Sequence, residues 1–195
     1  MSLPYFREFG WEPEVVAVDA KYTDISTDNL LTESIPSDVP IHYVKALPKK
    51  WTSKVGLGSI AIRSLPFYRK QVNKLLKEKK FDLVYFSTTQ FPVCILGSYW
   101  KKQFGVPFVI DMQDPWLSDY YKDKPKAERP PKYWIANKLN ETLEPIAMKK
   151  VDGLIAVSSS YLKTLSARYE NCRNIAQQTI PFGAFKNDFE IALRS

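Results

Sequence analysis

The sequence predicts an α/β fold, a Rossmann-like doubly wound parallel sheet, on three observations. Short apolar runs such as Val15-Val16-Ala17-Val18, Leu83-Val84-Tyr85-Phe86 and Phe108-Val109-Ile110-Asp111-Met112 lack regular polar alternation, the pattern of strands covered on both faces. Segments with helical spacing of apolar residues separate most of them. No linker, repeat or low-complexity tract divides the 195 residues, a length suited to one domain.

Each element has its own signal. Residues 3–9 read as the end of a helix with Gly10 as its cap, and Glu12-Pro13 then leads into the strand 15–18. Residues 19–40 are polar with two prolines and read as a loop. Ile41-His42-Tyr43-Val44 is a second strand. From about Ser64 to Lys79, Leu65, Phe67, Tyr68, Val72, Leu75 and Leu76 recur at helical spacing. After the strand 83–86, Pro92 to Phe104 reads as a helix with proline in its first turn and Gly105 at its end. The run 108–112 follows, then a long helix over roughly 132–151. Leu154-Ile155-Ala156-Val157 is the next strand, Ser158-Ser159-Ser160 starts a helix, and a last strand lies near 175–180, closed by Pro181-Phe182-Gly183.

Composition removes several classes of function. No apolar run approaches the ~20 residues of a membrane-spanning helix, and residues 1–7 lack the pattern of a signal peptide. Two lone cysteines, Cys94 and Cys172, form neither a disulfide framework nor a cysteine-rich zinc site and fit a reducing compartment. One histidine, His42, leaves a histidine-based triad a single candidate. The net charge of +7 is local: residues 1–44 carry −6, residues 45–80 carry +10 and residues 81–195 carry +3. Such a basic segment fits either a solvated helix face or an anionic partner. Gly56-Leu57-Gly58-Ser59-Ile60-Ala61 matches the dinucleotide fingerprint as a bare pattern, yet no buried strand precedes it. Asn140-Glu141-Thr142 matches a glycosylation acceptor but falls within a helix. Basic and aromatic residues without a module signature do not make a nucleic-acid binder.

In parallel sheets ligands bind beyond the carboxyl ends of the strands. That rule selects Ser87, Thr88, Thr89 and Gln90, then Gln113, Asp114, Pro115 and Trp116, then Ser158 to Ser160, and last Phe182 and Gly183. Small hydroxyl residues before a helix can bind phosphate or sugar oxygens, or simply cap the helix, the favoured reading for Ser158 alone. Asp111 and Asp114 are two carboxylates three residues apart at a strand end. Either could be a general base for a hydroxyl nucleophile. Alternation sends Asp111 and Met112 to opposite faces; Asp114 lies in the loop beyond, and Asp111 could instead bond backbone amides.

Phe81-Asp82-Leu83-Val84-Tyr85-Phe86-Ser87, Gly105-Val106-Pro107 through Asp114-Pro115-Trp116, Val151-Asp152-Gly153 through Ser158, and Ile180-Pro181-Phe182-Gly183 occur in order. Together they resemble the N-terminal, acceptor-side domain of a bacterial family-4 glycosyltransferase of the two-domain GT-B type. Phe9-Gly10-Trp11-Glu12-Pro13 resembles the segment before that domain's second strand, so the likeness runs over nearly the whole chain, from about Pro4, and residues 1–195 read as one domain. The resemblance implies transfer of a sugar from a nucleotide-sugar donor to a lipid or saccharide hydroxyl, in cell-envelope or polysaccharide biosynthesis, with no metal or other cofactor. It implies that Asp114 is the candidate base with Asp111 beside it, and that Ser87, Thr88, Gln113, Trp116, Ser158 and Gly183 contact acceptor or donor. Many relatives carry a histidine where this chain has Gln113, so that histidine's role does not transfer.

The same resemblance implies a donor-binding C-terminal domain outside this chain, which would leave the chain inactive alone. It also implies that the family's first strand is missing. The strands around Val16 and Val109 are then expected to close onto each other, or another chain, such as a second copy, to fill the gap. In relatives acting on lipids, basic and apolar residues of this domain meet the membrane. Lys54, Arg63, Arg69, Lys70 and Lys74, interleaved with Val55, Leu57, Leu65, Phe67 and Tyr68, fit such a patch. The expected location is cytoplasmic, peripheral on the inner face of the plasma membrane. The alternative is a non-catalytic subunit that binds acceptor or membrane and recruits a separate donor-binding protein.

Overall fold

The computed structural model describes residues 3–23, 35–52, 58–130, 133–183 and 193. It is an α/β fold in which every strand pairing is parallel and helices flank the sheets. Among the described residues six strands run in chain order: β1 (Val15–Val18), β2 (Ile41–Val44), β3 (Val84–Ser87), β4 (Phe108–Met112), β5 (Gly153–Ala156) and β6 (Ala176–Thr179). The α-helices described with them are α1 (Lys49–Thr52), α2 (Ile60–Glu78), α3 (Ile95–Phe104), α4 (Tyr133–Met148) and α5 (Ser159–Arg168). The segment 3–9 is a 3-10 helix followed by Gly10 at φ +78°, as the sequence predicts.

Most boundaries agree with the sequence signals within two residues, and α2 differs for a physical reason. It begins at Ile60, four residues before the apolar spacing does. Its first turns bury polar groups, Arg63 at 4% exposure and Ser64 at 0%. Ser64 Oγ donates to the Ile60 carbonyl at 2.7 Å, and the Arg63 guanidinium donates to the carbonyls of Gly58, Leu47 and Tyr22. A buried polar group satisfied in this way belongs to the core, yet an apolar pattern passes over it. At the other end of a helix, Gly105 adopts φ +73° and sends its N–H to the Lys101 carbonyl, which terminates α3.

The strands form two sheets, β1-β2 and β3-β4-β5-β6. The expected closure of the strands around Val16 and Val109 does not occur. Val109 sits in an interior strand, because β4 pairs with β3 through Val84↔Phe108 and with β5 through Val109↔Gly153. Among the described residues β1 pairs with β2 alone, in the register Val15↔Ile41. Among the described residues it is β3, not β4, that ends the larger sheet on this side. Helix α2 packs on both β1 and β2 and also meets α3. Glu14, just before β1, accepts from Lys79 Nζ and lies 2.9 Å from His42 Nε2, so the single histidine belongs to an ion-pair cluster at the amino ends of β1 and β2.

The core lies on the larger sheet. Phe86, Phe108, Ile110, Met112 and Leu154 are buried there with Trp100, Met148 and Cys172. The Trp100 and Phe86 rings stack at 6.0 Å, and Phe108 meets Phe86 edge-on at 6.0 Å. Gly97 of α3 brings the helix backbone onto the Phe108 ring: a Cβ there would lie 2.5 Å from Cδ2.

Candidate functional site

Because all pairings are parallel, each sheet has one carboxyl edge, and β3 to β6 bring Ser87, Asp111, Ala156 and Thr179 towards theirs. On β4, Phe108, Ile110 and Met112 face the core, while Val109 and Asp111 point to the opposite face, as alternation requires. The register Tyr85↔Val109 and Ser87↔Asp111 sets β3's side chains beside them. The Tyr85 hydroxyl donates to Asp111 Oδ2 at 2.8 Å, and Ser87 Oγ lies 3.5 Å from the same oxygen. Gln113 Nε2 donates to Ser87 Oγ at 3.2 Å. Phe6 meets the Tyr85 ring edge-on at 5.7 Å. The structure thus joins Ser87, Asp111 and Gln113 in one polar cluster through Ser87 Oγ, with a tyrosine that sequence reasoning missed as its fourth member. Its signal was the two-residue spacing of Tyr85 and Ser87, which puts both on one strand face.

Asp114 stands apart. It is exposed in the loop after β4, and no hydrogen bond or ion pair engages its carboxylate among the described residues. The loop itself is held firmly. Trp116 is 6% exposed, stacks on Phe91 at 5.5 Å and donates its indole N–H to Asn140 Oδ1 at 3.2 Å. Trp116 is therefore anchored in the core, its ring and its donor both engaged inside. The same Asn140 begins the glycosylation-like triplet, within α4 as expected.

One turn further along α4, Glu144 is fully buried. Its Oε2 accepts the Leu117 N–H at 3.0 Å, and its Oε1 accepts from Tyr169 Oη at 2.8 Å and from Arg168. Burial, and then the Glu144 carboxylate, raise the Tyr169 hydroxyl well above its ordinary range. Asn140 and Glu144 lie four residues apart on one helix face, and together they clamp the Asp114 loop from below. Glu144 also escaped sequence reasoning, since a lone acid in a helix ordinarily faces water.

The other expected contacts separate from the cluster. Thr88 Oγ1 accepts the Gln90 N–H at 2.9 Å and so supports the local turn. Ser158 Oγ accepts the Ser160 N–H at 3.3 Å, the cap of α5. Gly183 is exposed after β6, with no atom of the described residues within 4 Å of where a Cβ would lie. The residues expected to form a basic patch differ in their surroundings, and Arg63 does not belong to it. Arg63 is buried on three backbone carbonyls, and Lys54 lies outside the described residues. Arg69 stacks 4.3 Å over Tyr99 and donates to its hydroxyl, which holds that hydroxyl below its ordinary pKa. Lys70 and Lys74 remain exposed on α2, beside Asn73 and Lys77 around a shallow hollow of about 410 Å³.

Among the described residues no three His, Cys, Asp or Glu side chains come together as metal ligands would. No helix among them is long and apolar enough to cross a membrane. Compared with known proteins, the chain matches no family model and no curated protein.

Proposed function

We propose that residues 1–195 form the acceptor side of a glycosyltransferase, with a nucleotide-sugar donor held by a second domain or chain. The observation that carries this reading is the division of labour between two carboxylates at the end of β4. Asp111 is bound by Tyr85 and neighboured by Ser87, so it orders the edge of the sheet. Asp114 is exposed, without a partner among the described residues, on a loop fixed by Asn140 and Glu144. A base that must take a proton needs a free oxygen and a rigid mount, and Asp114 has both.

In this reading the acceptor hydroxyl gives its proton to Asp114 as its oxygen bonds the anomeric carbon. The bond from that carbon to the donor phosphate breaks, and the nucleoside diphosphate leaves with the electron pair. Gln113 and Ser87, joined at 3.2 Å, offer polar atoms to the acceptor's other hydroxyls. The test is a screen of nucleotide-sugar donors against lipid-phosphate and saccharide acceptors with the protein at its full natural length, read as nucleoside diphosphate release. One pair is expected to turn over. Asp114→Asn is expected to lower kcat by about 10²–10⁴ with KM little changed, and Asp111→Asn to act less strongly. Unchanged kcat in Asp114→Asn, or no turnover with any pair, refutes the proposal.

A further inference from the structure

Hydrogen bonds between α2 and α3 fix the role of one hydroxyl. Trp100 of α3 is 2% exposed, and its indole Nε1, a donor only, reaches Asn73 Oδ1 at 2.9 Å. That bond orients the Asn73 amide, whose Nδ2 donates to Tyr99 Oη at 3.2 Å. The Arg69 guanidinium, also a donor only, reaches the same oxygen at 3.2 Å while it covers the ring. With two donors on its oxygen, Tyr99 has only its own proton left to give. No acceptor for that proton stands among the described residues.

Asn73 also lines the hollow of about 410 Å³ on α2, with Lys70, Lys74, Lys77 and Glu78. Lys70, Lys74 and Lys77 follow one another at i, i+4 and i+7, along one side of the helix. All three are exposed, and among the described residues neither Lys70 nor Lys77 has a carboxylate partner. Glu78, the acid in the lining, lies 3.9 Å from Lys74. Hydrogen bonds from Arg69 and Asn73, and then the charges of Arg69 and Lys77, hold the Tyr99 hydroxyl below its ordinary pKa. The hydroxyl therefore faces the same positive field as the hollow.

We propose that this hollow binds a small soluble ligand carrying two or more phosphoryl groups, held by the Tyr99 proton and the ammonium groups of Lys70, Lys74 and Lys77. Ammonium groups act on phosphate as compact point charges, and the planar fork that would seat a carboxylate, Arg69, is spent on Tyr99. Lys70 to Lys77 covers about 10 Å of helix axis, longer than one phosphate group. A bilayer fits poorly, since the lysines ring a hollow and no large apolar side chain of α2 or α3 is exposed among the described residues. Lys79, just past α2, pairs with Glu14 at the amino ends of β1 and β2, so the hollow lies on the amino side, away from Asp114. It is independent of the proposed transfer reaction.

The experiment is isothermal titration calorimetry of the protein with inorganic tripolyphosphate, beside orthophosphate and citrate, in about 0.1 M salt. One saturable site is expected for tripolyphosphate, about tenfold or more tighter than for the other two. Tyr99→Phe keeps the ring under Arg69 but loses the proton, and should weaken binding about tenfold. Lys70→Ser with Lys77→Ser should weaken it at least as much, while Lys124→Ser with Lys126→Ser should leave it unchanged. Thermal melts check that each variant folds; the lysine pair is exposed and carries the test if Tyr99→Phe melts early. Absence of saturable binding, equal affinity for orthophosphate or citrate, or indifference to the Lys70 and Lys77 changes overturns the proposal. Equal loss in the Lys124 and Lys126 variant does so too, since it would mean diffuse charge. So does displacement of tripolyphosphate by anionic vesicles or single-stranded RNA at lower phosphate concentration, which would give the surface to a macromolecule.

Discussion

Gly97→Ala sets two known effects of opposite sign against each other, and the structure decides between them. In an open helix the change would stabilise by about 1 kcal/mol, because alanine is the better helix former. At Gly97 the new methyl would sit 2.5 Å from Phe108 Cδ2 and 2.7 Å from Cε2 and Cγ. Phe108 cannot give way easily, since it is 0% exposed and its ring is set edge-on against Phe86. Overpacking of this kind costs about 1–3 kcal/mol, and a rigid aromatic neighbour favours the upper end. Net destabilisation is therefore about 2 kcal/mol, a fall in Tm of about 4–8 °C for a chain of this size. The assay is thermal and urea unfolding of parent and variant. Adding Phe108→Leu should make the pair of changes less costly than their sum, by about 0.5–3 kcal/mol of coupling. A Gly97→Ala protein as stable as the parent, or strictly additive changes, would refute the close approach of α3 to the sheet.

Glu144→Ala removes a buried acceptor from Leu117, Tyr169 and Arg168 and should cost about 3 kcal/mol, the low end because Arg168 keeps 30% of its side-chain exposure; Glu144→Gln should cost less, and hydrogen exchange at the Leu117 amide should quicken in both. Glu14 has its pKa lowered, first by the Lys79 hydrogen bond and further by His42 against a burial penalty. A depressed carboxylate contributes stability above its unfolded pKa, near 4.5, and loses it as pH falls through the lower folded value; Glu14→Gln should flatten the stability profile in that acid window, as urea titrations from pH 2 to 6 would show. Cys94 and Cys172 are both fully buried, and burial followed by the Glu144 carboxylate pushes the Cys172 thiol up to about 11. Neither should react with iodoacetamide at pH 8 in the folded protein, and both should react in urea, as mass spectrometry would record.

The strands and the α/β class were legible because apolar runs and glycine stops report backbone geometry directly: Phe108–Met112 is a strand in both, and Gly105 ends α3 in both. Partnerships between distant residues were not. Nothing local distinguishes Trp116, an anchor beneath its loop, from a ring awaiting a ligand. Arg63 counted as surface charge until three carbonyls from separate segments closed around it. Tyr85 and Glu144 were silent for the same reason, since a hydrogen bond across 26 or 27 residues has no periodicity to betray it.

A two-stranded sheet has too little surface to stand alone, and β1-β2 relies on α2 for its cover and on Arg63 to gather the carbonyls of Tyr22, Leu47 and Gly58. Two tiers of cooperativity are the expected consequence: native-state hydrogen exchange should find the amides of β3 to β6, around the aromatic core, exchanging only on global unfolding, and those of β1 and β2 exchanging at a lower free energy.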